Sequence, residues 1–314
     1  MAETQSPATS ALAIGDLKGS PRRHRKEMIV RSLFRAAAVA SIVISVAIVI
    51  SLVGKAMEFI TQVDLGSLWS SGWFPRRGLF DLRTIIVGTL IISAIAMLVA
   101  TPLGLGAALY LSEYARPRVR RVLKPILEIL ASIPSVVLGV FALTFISPDI
   151  IQNVFVDAGI FNLAAAGIAV GVLVTPLVAS ISEDAMRAVP TALREASYGL
   201  GARKHTTTMR VVFPAAVSGI VASLIVGVSR AIGETMIVAI AAGGTGGSAL
   251  VLDPTQPGQT MTGAMTALAI GSDQVRGADL AFPSLFFVGL LLFLMTLGLN
   301  VASERYVRRV RQRY

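Results

Sequence analysis

Cysteine is absent from the 314 residues. This excludes a disulfide framework, a thiolate metal site and a thiol nucleophile. Histidine is nearly absent: His24 and His205 are the two present, too few for a His-based metal centre. Charge is scarce. Asp, Glu, Lys and Arg together make 15% of the chain, against about 25% in an ordinary soluble domain. There is no Gly-x-x-x-x-Gly-Lys-Ser/Thr loop. The run Gly243-Gly244-Thr245-Gly246-Gly247-Ser248 lacks the lysine and a following helix, so it reads as a flexible turn and not a phosphate loop. No His-Glu-x-x-His helix occurs, and neither histidine lies in an apolar stretch, which removes a Ser–His dyad at membrane depth. No catalytic residue, metal site or cofactor is expected.

What the chain does have is apolar surface. Hydrophobic residues make up 54% and the mean hydropathy is +0.74. Polar groups cannot cover such a surface unless the solvent is lipid. Disorder and an ordinary soluble enzyme are excluded on this ground. The net charge of +10 then reads as positive-inside loops of a membrane protein, with no nucleic acid implied.

Residues 1–30 read as a disordered polar and basic cytoplasmic tail, Ser/Thr/Ala-rich over its first 20 residues, and residues 31–314 as the transmembrane domain. From Ala36 to Gly54 no charge occurs; as a helix this covers about 28 Å, close to the hydrocarbon thickness. The run is too long for a secretory signal, and Gly54-Lys55-Ala56 makes a poor cleavage site, so span one stays. Further spans are expected over 84–112, 129–146, 159–182, 213–243 and 282–302. Strand alternation of the barrel type is missing, so the fold class is all-α with six transmembrane helices. Pro102 and Pro134 should kink their helices. Gly167-x-x-x-Gly171 offers a close-approach face to a neighbouring helix.

Basic residues set the orientation. Seven lie in the first tail, and five each in the loop after span two, the loop after span four and the last tail. The opposite side carries five: Lys55, Arg76, Arg77, Arg83 and Arg276. This asymmetry places both termini in the cytoplasm. Trp69, Trp73 and Phe74 then suit an outer interfacial belt, and residues 244–281 read as irregular outer structure.

The loop over 183–214 is the longest cytoplasmic connection and reads as two short helices. Pro190 and Thr191 open the first. Leu193, Ala196 and Leu200 give it one apolar face, and Gly199 and Gly201 end it. Such a helix either lies on headgroups or inserts into a groove on a cytoplasmic partner. Within it, Glu195-Ala196-Ser197, then Gly201, then Val211-Val212-Phe213-Pro214 resemble the EAA loop of bacterial ABC importer permeases, Glu-Ala-Ala-x3-Gly-x9-Ile-x-Leu-Pro. Ser197, Val211 and Phe213 are mild departures. The stretches 101–139 and 229–244, the latter with Arg-Ala-Ile-Gly-Glu-Thr-Met, are similar to the phosphate permeases of the PstC type; their partner type, PstA, departs after Glu-Thr.

The resemblance implies the MetI-like importer fold and transport of inorganic phosphate. It also implies docking of Glu195, Ala196, Ser197, Gly201 and Pro214 on an ATP-hydrolysing subunit. Its partners are a second, PstA-like permease, an ATP-binding subunit dimer, an extracytoplasmic phosphate-binding protein and membrane lipid. Another oxyanion remains an alternative substrate. An ion-coupled secondary transporter remains an alternative class, although it favours inverted repeats. A membrane enzyme would need a nucleophile and base at membrane depth, and none is found.

Arg230 and Glu234 stand four apart in span five, on one helical face. Each charge costs at least about 2.5 kcal/mol at the bilayer centre, so both should face a bundle interior or wet cavity. One reading is a structural ion pair. The other is an anion path, in which the permanently charged fork of Arg230 meets phosphate and Glu234 orients it; the resemblance favours this one. Lys124 and Glu128, also four apart, read as an interfacial pair at the entry to span three.

Overall fold

The computed structural model describes residues 21–310 apart from Ser70, Thr245 and residues 271–279. The tail over 1–20, and Arg276 and Thr245, lie outside the described residues. The chain divides into two compact units at Ser51 and Leu52. In the first, helix α1 (Pro21–Gln62) begins. Residues 21–30, expected in the disordered tail, are helical: Pro21 suits a first helical position, and the Arg, Lys, Glu and Met that follow are good helix formers. Side chains from Arg25 to Ser51 are exposed apart from half-buried Val49.

The second unit carries the rest of α1, a short hairpin and nine further helices among the described residues. Strands β1 (Trp73–Phe74) and β2 (Leu79–Phe80) pair antiparallel, Trp73 opposite Phe80. Then follow α2 (Leu82–Tyr114), α3 (Pro117–Ala131), α4 (Ser135–Val154), α5 (Leu163–Arg187) and α6 (Thr191–Gly199). After them come α7 (Lys204–Ile232), α8 (Met236–Ala241), α9 (Met261–Ile270) and α10 (Ala281–Val310). Six helices are long and apolar enough to cross a membrane: α1, α2, α4, α5, α7 and α10. The fold is all-α in its spanning elements.

The centre of the second unit is the α2–α5 pair. Asp81 starts α2 by accepting from the Arg83 amide and the Thr84 hydroxyl at 3.3 and 2.8 Å. Asn162 starts α5 by accepting from the Ala165 amide at 2.7 Å. Both satisfy first-turn donors that lipid cannot. Between the helices the backbones nearly touch. A Cβ added at Gly167 would lie 2.8 Å from that of Ile95, and one at Gly171 would lie 2.7 Å from that of Val99. Apolar burial supplies little attraction between helices in lipid, so close van der Waals contact between small residues carries the association. Ala96 and Ala100 on α2 and Val170 and Val174 on α5 fill this seam, and Leu138 of α4, Ala231 of α7 and Ile237 of α8 close around it.

Four features depart from expectation. The stretch 129–146 is not one helix: α3 ends at Ala131 and α4 starts at Ser135. Pro134 forces the break, because the residue before a proline leaves the helical region. Pro102, by contrast, sits inside an unbroken α2. The stretch 213–243 is split between Ile232 and Met236, while its helix begins earlier, at Lys204. Residues 244–281 contain α9, whose first amide, Met261, donates to the Thr89 hydroxyl of α2 at 3.0 Å. Trp73 is not in an interfacial belt. It is fully buried between Phe80, at 5.9 Å between ring centroids, and the Ser248 backbone. Trp69 stays exposed beside Arg83.

Candidate functional site

Two places hold the residues singled out in the sequence. The first is α6 and the turn after it. Pro190 stands before the helix with an extended ψ of 139°. The helix closes through the amides of Gly201 and Ala202, which donate to the carbonyls of Tyr198 and Ser197 at 2.9 and 3.1 Å. Gly201 has φ +79°, a conformation that glycine adopts without the Cβ penalty. Ser197 and Thr207 share a hydroxyl hydrogen bond of 2.8 Å across that turn. Glu195 and Ala196 are exposed, as is Pro214 in the first part of α7. The apolar face expected of α6 is divided. Leu193 packs on a cluster of Ala108, Met186 and Val212, whereas Leu200, one residue past the helix, is 90% exposed. α6 therefore rests on the protein by one edge and offers the other.

Arg194, which the sequence reading passed over, fixes that edge. It donates to the carbonyls of Val189 and Met186 at 2.6 and 2.8 Å and to Glu113 at 2.9 Å. The coupling is between the end of α2, the end of α5 and α6. Lys204, over the Tyr114 ring at 5.1 Å, adds a second tie to α2. Beside it, Glu183 of α5 is fully buried and meets Arg120 at 2.7 Å and Lys124 at 2.8 Å; Lys124 also meets Asp184 at 2.7 Å. Lys124 thus pairs across helices and not with Glu128, because α3 lies against the end of α5. Burial alone would lower the Lys124 pKa, but hydrogen bonds to Asp184 and then Glu183 outweigh it and raise the pKa above that of an ordinary lysine. The only sequence signal for this cluster was acidic residues at the end of an apolar run.

The second place is the break between α7 and α8. Gly233 ends α7, and Glu234 and Thr235 stand outside both helices. Arg230 and Glu234 still approach, at 3.6 Å, with side chains 52% and 3% exposed respectively. They do so across a turn and not along one helix. The carbonyl of Glu234, released from the helical ladder, accepts from the Thr262 hydroxyl of α9 at 2.8 Å. A cavity of about 350 Å³ opens beside the break, with Thr235, Met236, Thr262 and Thr266 in its wall. Ser229, one residue before Arg230, donates to Asn300 of α10 at 3.1 Å.

Residues 100–313 match the family described as "Binding-protein-dependent transport system inner membrane component". The chain belongs to that family. This inner membrane component is 30% identical over 301 residues to the "Phosphate transport system permease protein PstC" of Mesorhizobium japonicum, covering 90% of this chain and 89% of that one. Its fold is that of solved importer permeases. A chain of the bacterial alginate ABC transporter, solved with an alginate-bound periplasmic protein, superposes with a TM-score of 0.66 at 16% identity, covering 93% of this chain and 98% of that one. A chain of the inward-facing MetNI methionine ABC transporter gives 0.55 at 22%, covering 72% and 94%. The MetI-like fold expected from the sequence is the fold observed. The inner membrane component is a multi-pass permease subunit of an ABC importer.

Proposed function

We propose that this permease subunit passes inorganic phosphate into the cytoplasm, driven by ATP hydrolysis on a separate subunit. The observation that carries the reading is α6: a short helix held from behind by Arg194, with Glu195, Ala196 and Leu200 left exposed. An ATP-binding subunit dimer is its partner, and Gly201 and Pro214 set the turn and the exit of the chain. A PstA-like second permease and an extracytoplasmic phosphate-binding protein complete the assembly. The similarity to proteins named as phosphate permeases supports the substrate.

Arg230 and Glu234 serve the anion path in this reading. Phosphate loses hydration on entering a narrow passage, and a fixed guanidinium offsets part of that loss while donating two hydrogen bonds. Both termini face the cytoplasm, following the basic asymmetry. In the cysteine-free chain, single cysteines at Asp149 and Glu195 test this: an impermeant reagent outside should modify the first and spare the second.

The function is tested by co-expressing the chain with a candidate ATP-binding subunit and second permease and reconstituting the complex in vesicles. With ATP enclosed in the vesicles and phosphate-loaded binding protein outside, phosphate uptake should follow that sulfate does not replace. Uptake of another oxyanion in preference to phosphate would overturn the substrate. Uptake driven by an ion gradient without ATP would overturn the class.

A further inference from the structure

Between the end of α2, the start of α3 and the end of α5 lies a cavity of about 500 Å³. It shares no lining residue with the Arg230–Glu234 break. Four cations line it, Arg120, Arg121, Lys124 and Arg187, against one carboxylate, Glu128. The four are not equivalent. Arg120 and Lys124 are spent on Glu183 and Asp184, at 2.7 to 2.8 Å. Arg187 comes no nearer than 3.9 Å to Glu183 and remains 47% exposed. Arg121 is exposed, and its side chain makes no hydrogen bond or ion pair among the described residues. Two guanidinium forks are therefore available in one cleft.

The backbone adds to them. α3 begins at Pro117 with no side chain capping it, and Ala115 and Pro117 stand in the cavity wall. The free N–H groups and partial positive charge of a helix start favour an anion there. A phosphoryl group presents several acceptor oxygens to match two forks and a helix start, which a lone carboxylate does not.

The other side of α3 gives its level. Val119, Val122, Ile126, Ile129 and Leu130 form a stripe at helical spacing, and all are exposed. α3 joins membrane-length helices within three residues at each end, at Tyr114 and Ser135. A basic helix with an uncovered apolar stripe, tied so closely to two spans, lies at headgroup depth.

We infer that this cavity is a binding site for a phosphoryl anion, gripped by Arg121, Arg187 and the start of α3. The same chemistry is presented by an anionic phospholipid headgroup and by inorganic phosphate. Neither source requires that the chain transport phosphate.

The test uses the chain purified with its ATP-binding subunit and stripped of lipid. In one arm, mixed micelles offer phosphatidylglycerol or phosphatidylcholine, and retained lipid is counted by native mass spectrometry. In the other, radiolabelled inorganic phosphate is bound by equilibrium dialysis in an Arg230→Gln background, so that the proposed path is not counted. Arg121→Gln and Arg187→Gln should each weaken the bound probe roughly fivefold, as expected for one basic residue at a membrane surface. Both leave the Glu183 tether of α3 intact. Arg118→Gln, an exposed charge on the same helix outside the cavity, should change little. Loss confined to phosphatidylglycerol assigns a lipid headgroup; loss confined to the dialysed phosphate assigns the free anion. Binding unchanged by Arg121→Gln and Arg187→Gln, or weakened as much by Arg118→Gln, would overturn the site.

Discussion

Arg194 and Glu113 are 81 positions apart in sequence and 2.9 Å apart in space. Their side chains are 16% and 5% exposed. Removing one partner of so shielded a pair leaves the other charge uncompensated, at a cost of about 3 kcal/mol. Arg194→Ala should therefore lower the denaturant midpoint of the purified chain and its retention of the ATP-binding subunit together. Glu113→Gln, which keeps an acceptor, should cost about 1 kcal/mol. The exchanged pair Glu113→Arg with Arg194→Glu should not recover, because the carbonyls of Met186 and Val189 then lose their donor. Recovery in that double variant would mean that the ion pair alone, and not the three-way tie, matters.

At Gly201 the constraint is conformational. Its φ is +79°, and a Cβ there would meet nothing within 4 Å. The whole cost of a side chain is thus the left-handed backbone, about 1–2 kcal/mol. Gly201→Val should insert normally yet lose ATP-driven uptake and ATPase retention. Gly201→Asn should keep much of both, since asparagine tolerates that conformation. Full uptake by Gly201→Val would remove this turn from the coupling role.

For Arg230 the discriminating measurement separates abundance from transport. Glu234 is 3% exposed and 3.6 Å from the guanidinium. If Arg230 serves the anion path, Arg230→Gln should abolish phosphate uptake in an intact complex, while Arg230→Lys keeps part of it. A structural pair predicts instead that Arg230→Gln lowers abundance by leaving a buried carboxylate unpaired. The double change Arg230→Gln with Glu234→Gln decides: recovered uptake there would remove Arg230 from the path.

Lys124 sets a pH limit on the anchoring of α3. Its pKa is raised above the ordinary lysine value in the folded chain, burial opposing and the bonds to Asp184 and Glu183 prevailing. A raised pKa means that the contribution is complete below the unfolded value and is lost as pH rises through the folded one. Hydrogen exchange over residues 117–131 should therefore be flat through neutral pH, apart from intrinsic base catalysis, and accelerate only on the alkaline side of the ordinary lysine range. Lys124→Met should abolish that alkaline step; a step that survives in Lys124→Met belongs to another group.

Local pattern made part of this legible. Uncharged runs gave the spanning helices, because a backbone in lipid must satisfy itself internally. Gly167 and Gly171 marked the close seam, and the glycine after α6 marked a positive φ. The break at Gly233 was harder to read. Arg230 and Glu234 carry helical spacing, and one glycine between them does not announce that Thr262, far along the chain, will capture the freed carbonyl. Glu183 was harder still. Its partners Arg120 and Lys124 lie 63 and 59 positions away, and no local pattern encodes which cations a crossing helix delivers. Trp73 misled for a related reason: an aromatic near a membrane edge suits a belt or a core equally, and only the pairing with Phe80 and Ser248 chooses.

The contact of α2 with α5 through Gly167 and Gly171 has a mechanical consequence. Where glycine lets the backbones meet, little compliant side chain lies between the helices, so the pair resists spreading and acts as a beam. The 25 residues of α5 give that beam a length of about 37 Å. At one end stands Asn162; at the other, Glu183 and the carbonyl of Met186 that Arg194 holds. A tilt of about 5° imposed at the Met186 end displaces the far end by about 3 Å over such a length. Enlarging either glycine would force the two helices apart, and a displacement at the Met186 end would then be absorbed before it reached Asn162.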